Sequence, residues 1–178
     1  MGSNSFKILL KYAKIAQNHV ISVEKSLNPT NLKKIDDKRV SAKKLLESFP
    51  VLALNFGSSN IITGSSEHRR QLLDWGSFHV EHSYINLYKD YLKALKQRNS
   101  LLKKNDLINI GYWTDLVSDL GTKINSTRKA YFDDFNNAFQ NIKEEMQTLL
   151  PNIYADIKDC KVSYYQGWDN DISLKETL

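Results

Sequence analysis

The chain has 178 residues, 41% hydrophobic, 25% charged and 11% aromatic, with seven Gly and three Pro, which excludes collagen-like, low-complexity and largely disordered chains. A single cysteine, Cys160, excludes an intramolecular disulfide framework and a four-cysteine zinc site and fits a reducing compartment, while the apolar runs are too short to cross a bilayer. The net charge of +5 is uneven: residues 1 to 112 hold 18 Lys or Arg against 9 Asp or Glu, and residues 113 to 178 hold 7 against 11. A basic part followed by an acidic one suits either a polyanion-facing surface or two elements that attract each other.

Residues 1–5, opening Met1-Gly2-Ser3, read as a cloning remnant. Phe6, Ile8, Leu10 and Tyr12 alternate with Lys7, Leu9, Lys11 and Ala13, the period of a half-buried strand. A second strand pattern covers His19 to Glu24, and Asn28 to Asn31 is a turn. Leu32 to Ile35 and Arg39-Val40 are two more short strands around Asp36-Asp37. Ser41 caps a brief helix through Ser48, which Pro50 ends. Pro50 to Phe56 then reads as a buried strand, and Gly57 to Asn60 as a loop. Residues 6–62 are thus expected to form a small, mostly antiparallel sheet.

Helical patterns follow over residues 63–158. Gly64 to Glu67 is a helix start with a serine cap and an acid in the first turn, and the helix runs to about Phe78. Ile85, Tyr88, Leu92, Leu95, Asn99 and Leu102 then mark a seven-residue repeat with one polar position, broken by Asn105 to Gly111. A second long pattern runs from Trp113 through Leu116, Leu120, Ile124, Tyr131, Phe135, Phe139, Ile142, Met146 and Leu149, with Pro151 as its stop and Gly121 as its weak point. Two long helices with a short link predict an antiparallel hairpin. Cys160 to Tyr165 alternates again and is expected to return to the sheet, and Ser173 to Leu178 reads as the start of a truncated helix. The expected fold is α+β, a small antiparallel sheet followed by a helical arm.

No phosphate-loop, dinucleotide-binding, nucleophile-elbow or H-E-x-x-H motif is present, so no catalytic constellation is expected. His68, His79 and His82 do not share the spacing of a metal site, and no metal ligand is expected. The cations that could meet a nucleic-acid backbone are Arg69, Arg70, Lys93, Lys96 and Arg98. Each has a plain structural alternative. Arg70 could pair with Asp74 at i,i+4. Lys89, Lys96 and Lys103 could face Asp133, Asp134, Glu144 and Glu145 on the other long helix, and Asn99 on the seam could set helix register.

Gly64-Ser65-Ser66-Glu67-His68-Arg69-Arg70-Gln71-Leu72-Leu73-Asp74-Trp75-Gly76-Ser77-Phe78-His79-Val80-Glu81 resembles the bacterial RecF recombination-mediator family: a turn, a double arginine, then L-D-W-G-x-F-H-x-E. Tyr91 to Leu102, with L-K-Q-R-N-x-x-L, matches the same family at the same spacing, in a branch that looks gammaproteobacterial. Weaker agreement covers Phe49 to Phe56, Trp113, Leu116 and Tyr165-Gln166-Gly167-Trp168. Two positions depart from the pattern: Gly57-Ser58 stands where a Pro-Glu pair is usual near the nucleotide site, and His82 where proline is usual. Asp74, Trp75, His79, Glu81, Asn99 and Trp113 are the motif residues this resemblance singles out as structural.

The resemblance implies an ABC/SMC-like ATPase head with an inserted helical arm. Such proteins use ATP and Mg, dimerise through their heads when ATP is bound, bind gapped DNA at single-strand/duplex junctions, and work with RecO and RecR to load RecA in the cytoplasm. The phosphate-binding loop, signature and acidic strand of that ATPase lie outside this sequence. The chain is therefore expected to be an inactive middle segment of an ATPase, with residues 159–178 returning to the head. It is expected either to contact DNA or to serve as a structural or protein-binding arm touching RecR or a second RecF.

Overall fold

The computed structural model describes residues 5–14, 17–26, 32–51, 56–106 and 108–178. They fall into two compact units, Met1–Asn55 and Phe56–Leu178. The turn read at Asn28 to Asn31 and the centre of the strand read at Pro50 to Phe56 lie outside the described residues.

The first unit is a four-stranded antiparallel sheet in the order β1 (Ser5–Lys14), β2 (Gln17–Ser26), β3 (Leu32–Ile35) and β4 (Lys38–Arg39). Asp36 and Asp37 both adopt positive φ, 49° and 60°, which matches the twist of a two-residue hairpin between β3 and β4. The register sets Ile8 opposite Val23, Leu10 opposite Ile21 and Tyr12 opposite His19, so these side chains share one face. Ile21, 5% exposed, is the buried apolar residue of that face. Helix α1 (Ala42–Ser48) begins at Ser41, whose hydroxyl accepts from the Lys44 amide at 3.1 Å. Phe49, just past it, meets the Tyr12 ring at 4.9 Å.

The second unit is helical. A 3-10 turn (Phe56–Ser59) and the short α2 (Asn60–Thr63) occupy the stretch read as a loop from Gly57 to Asn60. Its serines do not stop the helical turns because this segment packs on α3 (Ser66–Val80). Helix α4 (Tyr84–Lys103) then runs antiparallel to α5 (Ile110–Leu149), with Tyr84 beside Arg128, Tyr91 beside Gly121 and Arg98 beside Thr114. At 40 residues α5 is about 60 Å long.

Two details differ from the expected seams, and both have a packing cause. On α4 the buried positions are Tyr84, Ala94 and Arg98 and the half-buried ones Ile85, Leu87, Tyr88, Tyr91, Leu95, Ser100 and Leu101, so Ile85, Tyr88 and Leu95 of the expected seam are covered while Leu92, Asn99 and Leu102 are exposed. Asn99 therefore does not set the register of this hairpin. On α5 the buried residues are Val117, Gly121, Ile124 and Lys143; Ile124 lies on the expected seam, while Val117 and Gly121 are one position round from Leu116 and Leu120. Small Ala94, Val117 and Gly121 let the two helices approach closely, and larger leucines flank the contact. Gly121 does not interrupt α5. A Cβ there would lie 2.5 Å from Leu174 Cδ2, so its absence makes the notch into which α7 (Leu174–Thr177) fits.

Pro151 ends α5 but also opens α6 (Pro151–Ile157), as the first-turn position of a helix tolerates its missing N–H. Cys160 to Tyr165 pairs with no strand among the described residues. Its polar groups are taken by α5 instead. Lys143, 9% exposed, donates to the carbonyls of Lys158 (2.8 Å) and Cys160 (2.9 Å), and the Tyr164 hydroxyl donates to Asn125 Oδ1 at 2.6 Å. Asn125 Nδ2 donates in turn to Gln166 at 3.3 Å. Ser173 and Glu176 form a reciprocal capping box at the start of α7.

Candidate nucleic-acid interface

The five arm cations expected to meet DNA have different surroundings. Arg69 Nη1 donates to the carbonyls of Ile61 (3.2 Å) and Gly64 (3.1 Å), closing the C-terminal end of α2. Arg70 reaches Ser66 Oγ (2.8 Å) and Glu67 (3.0 Å), not Asp74. Those contacts, with Gln71 adding to Arg70, hold the Glu67 carboxyl below its usual range. Lys93 pairs with Asp90 at 3.0 Å. Arg98 is 9% exposed; its Nε donates to Thr114 Oγ1 at 3.0 Å and its Nη2 to the Leu178 carbonyl. Lys96 alone of the five has neither a side-chain hydrogen bond nor an ion pair among the described residues, and it is exposed.

The motif block is explained by packing. Asp74 accepts from Arg128 Nε and Nη2, both at 2.7 Å, and from the Tyr84 hydroxyl, tying α3, α4 and α5 together in a mostly buried knot. Burial, with the Asp74 hydrogen bond behind it, pushes the Tyr84 hydroxyl well above its ordinary range, so it stays a donor. Gly76 faces the Tyr131 ring so closely that an added Cβ would lie 2.0 Å from its Cζ. Trp75 and His79 meet edge to face at 4.5 Å. Burial, then the neighbouring His82, lowers the His79 pKa. Its Nε2 and Ser77 Oγ are buried without a partner among the described residues. Glu81 accepts from the Ser83 amide at 2.9 Å and so shapes the entry to α4. Trp113 lines an open groove with Ala94, Leu116 and Leu120. Arg128, Tyr84 and Lys143 escaped the sequence reading; a lone cation at 128 in the apolar spacing of 117, 121, 124 and 131 was the available signal.

Among the described residues no group of three or more His, Cys, Asp or Glu could hold a metal ion, and no helix is long and apolar enough to cross a membrane.

In the sheet unit the ladder brings cations together that sequence alone leaves apart. Leu9 pairs with Ser22, Ser22 with Lys34, and Lys34 with Arg39, a row across all four strands. Lys7 and Lys11 flank Leu9 on the same face because side chains of one parity share it. Lys7, Lys11 and Arg39 are exposed and Lys34 half-buried, and none forms an ion pair among the described residues. Glu24, opposite Lys7, is the carboxylate on that face within the ladder. On the other face His19 Nδ1 donates to Asp36 at 2.7 Å, and the Val20 amide donates to the same carboxylate at 2.8 Å.

No family model matches the chain. It is 34% identical over 140 residues to the DNA replication and repair protein RecF of Pseudomonas paraeruginosa (strain DSM 24068 / PA7), covering 78% of this chain and 36% of that protein. It is also 34% identical over 148 residues to the protein of the same name from Stutzerimonas stutzeri (strain A1501), covering 82% and 38%. The chain thus spans little more than a third of the length of these curated relatives. Among solved structures, the recombination mediator protein RecF-ATPrS in the RecFOR pathway superposes with a TM-score of 0.67 at 20% identity, over 85% of this chain and 42% of that one. RecF-ATP of the same pathway gives 0.61 at 20% identity, over 76% and 37%. By sequence identity over most of its length and by its α+β fold, the chain belongs to the RecF family.

Proposed function

We propose that the chain is the sheet-and-arm segment of a RecF-like recombination and repair protein, and that its DNA contact lies on the basic face of the sheet. The names of its relatives support the first part. The observation that carries the second is the face formed by Lys7, Lys11, Lys34 and Arg39, four cations facing one carboxylate, whereas Lys25, Lys33 and Lys38 on the opposite face share it with the apolar Ile8, Leu10, Tyr12, Ile21 and Val23. Residues 1 to 55 hold ten Lys or Arg against four Asp or Glu, so the surrounding field has the same sign. In the arm Arg69, Arg70, Lys93 and Arg98 each direct at least one donor to the chain itself, which leaves Lys96 as the expected arm cation without such a contact among the described residues. The contact is to phosphates and independent of base sequence. In the longer protein this segment works beside an ATP- and Mg-dependent head that dimerises, acts with RecO and RecR at gapped DNA to load RecA, and resides in the cytoplasm.

Fluorescence anisotropy of a gapped single-strand/duplex junction, titrated with the chain at several salt concentrations, tests the reading. Four neutralised phosphates predict a log–log salt slope of about −3 to −4. Lys7→Glu/Lys11→Glu/Arg39→Glu should abolish binding at low salt, and Arg69→Ala/Arg70→Ala should leave it within about two-fold. Binding that survives the sheet triple variant and is lost in the arm double variant would return the DNA contact to the arm.

A further inference from the structure

The leucine repeat of α4 turns outward. With Ile85, Leu92 and Asn99 at a positions, Tyr88, Leu95 and Leu102 fall at d, in the pattern of a coiled-coil seam with one polar register position; Ile85 and Tyr88 pack against the core of Phe78, Tyr84 and Ile124, so the outward part of the seam runs from Leu92 to Leu102. Leu92 and Leu102 are 45% and 43% exposed, Asn99 is exposed, and Leu95 is half-buried. Leu92, Leu95 and Asn99, with Lys96, Ser100 and Lys103, line a shallow depression of about 450 Å³ that is open to solvent. Single exposed leucines are ordinary on a surface; an exposed heptad with an interior asparagine is a helix-pairing pattern.

The flanks specify the partner. The g positions are Tyr84, Tyr91 and Arg98, which turn toward α5: Tyr84 and Arg98 are buried and Tyr91 half-buried. The e positions are Lys89, Lys96 and Lys103, all exposed and without ion pairs among the described residues. They stand about 10 Å apart along the helix. The solvent-facing flank is therefore lysine throughout. A second copy of α4 offers no complement. Paired antiparallel, its lysines would meet these lysines; paired parallel, they would meet Tyr84, Tyr91 and Arg98, which are already engaged. A phosphate backbone would satisfy the lysines but leave the leucines wet.

We propose that the outer face of α4 docks an acidic amphipathic helix of a protein partner, whose apolar a and d residues pack on Leu92, Leu95 and Leu102 and whose carboxylates meet Lys89, Lys96 and Lys103. The partner presents a polar residue opposite Asn99, which fixes the register. This surface is separate from the basic sheet face and stands or falls without it.

The probe is a labelled four-heptad peptide with Leu at a and d, one central a-position Asn and Glu at every flank, whose self-pairing is opposed by its own charges; a twin carries Lys at the flanks. The chain should bind the Glu peptide at least ten-fold more tightly than the Lys peptide, with the difference shrinking as salt rises. Lys89→Glu/Lys96→Glu/Lys103→Glu should invert the preference, and Leu92→Ser/Leu102→Ser should weaken the Glu peptide at least ten-fold. All five side chains are exposed, and an unchanged helical circular dichroism signal confirms that each variant is folded. Equal binding of the two peptides, or binding of neither, overturns the proposal. So does a concentration-dependent dimer that Leu92→Ser dissolves, which would make the occupant a second copy. Duplex binding that the lysine reversal abolishes, with neither peptide bound, would overturn it in favour of nucleic acid.

Discussion

The two units bury their apolar residues by different means. In the sheet unit Ile21 is buried, but Ile8 and Leu9 remain 58% and 59% exposed on opposite faces, and the ladder is held by neighbours in sequence. In the helical unit Phe78, Tyr84, Ala94, Val117 and Ile124 are buried by residues from different helices. Local pairing makes a sheet that tolerates exposure, as a small domain with little core must. Long-range packing makes a helical unit whose stability is concentrated at a few crossing points. Single substitutions at those points should cost more than any in the sheet. Trp75, Trp113 and Trp168 all lie in the helical unit, so tryptophan fluorescence reads that unit alone.

The largest effect is expected at Arg128. Arg128→Ala leaves the mostly buried Asp74 carboxylate without its cation and removes the packing of the guanidinium stem. A charge-assisted, partly buried pair of this kind predicts a loss of about 3 kcal/mol, read as an earlier tryptophan transition in urea. An unshifted midpoint would mean that the knot does not hold the three helices together. Gly76→Ala is next and is a sign test. Helix propensity alone favours alanine by about 1 kcal/mol, whereas displacing Tyr131 costs about 1–3 kcal/mol. A net destabilisation is expected, and a more stable variant would show that the Tyr131 ring moves aside freely.

In the sheet unit the corresponding substitution is Ser41→Ala, which removes the hydroxyl that accepts from the Lys44 amide. The expected loss is about 1 kcal/mol. It should appear in the amide exchange of α1 and leave the tryptophan transition in place. A shift of that transition would mean that the two units unfold as one.

The same contrast explains what could be read from the sequence. β1, β2, β3, the Asp36-Asp37 turn and the Ser41 cap are local signals, and each is where alternation, turn chemistry or capping puts it. α1, α3, α4, α5 and the start of α7 were legible for the same reason, α2 and α6 were not, and the buried faces of the long helices were legible only in part. The repeat at Leu92, Leu95, Asn99 and Leu102 is the more conspicuous one on α4, yet the buried seam runs through Tyr91, Ala94 and Arg98. Hydrophobicity ranks leucine over alanine and arginine, while close helix approach needs a small residue and the α5 contact gives Arg98 its partner. The alternation at Cys160 to Tyr165 is not paired into a strand among the described residues, and there Lys143, 17 residues earlier in the chain, takes the Cys160 carbonyl. The basic sheet face depends on register between strands, which no single segment reveals.

The smallest effect separates the units by pH. In the helical unit burial, reinforced by His82, lowers the His79 pKa, so folding favours the neutral ring. Its contribution is complete above the ordinary value of 6.5 and is lost as pH falls through the lower folded value. In the sheet unit the His19 hydrogen bond, then the Val20 amide, lowers the Asp36 pKa, so folding favours the carboxylate. That contribution is complete above the ordinary 3.8 and is lost only as pH falls below it. Between these values the helical unit should weaken at His79 while the Asp36 pin of the sheet still holds. Because the His79 ring lies against Trp75, tryptophan emission should begin to change below pH 6.5, and the Asp36 carboxyl carbon shift should report that group's own protonation only below pH 3.8. His79→Leu should remove the early change and leave the late one. If the Asp36 carboxyl titrated together with the tryptophan change in the wild-type chain, the two units would not be titrating independently.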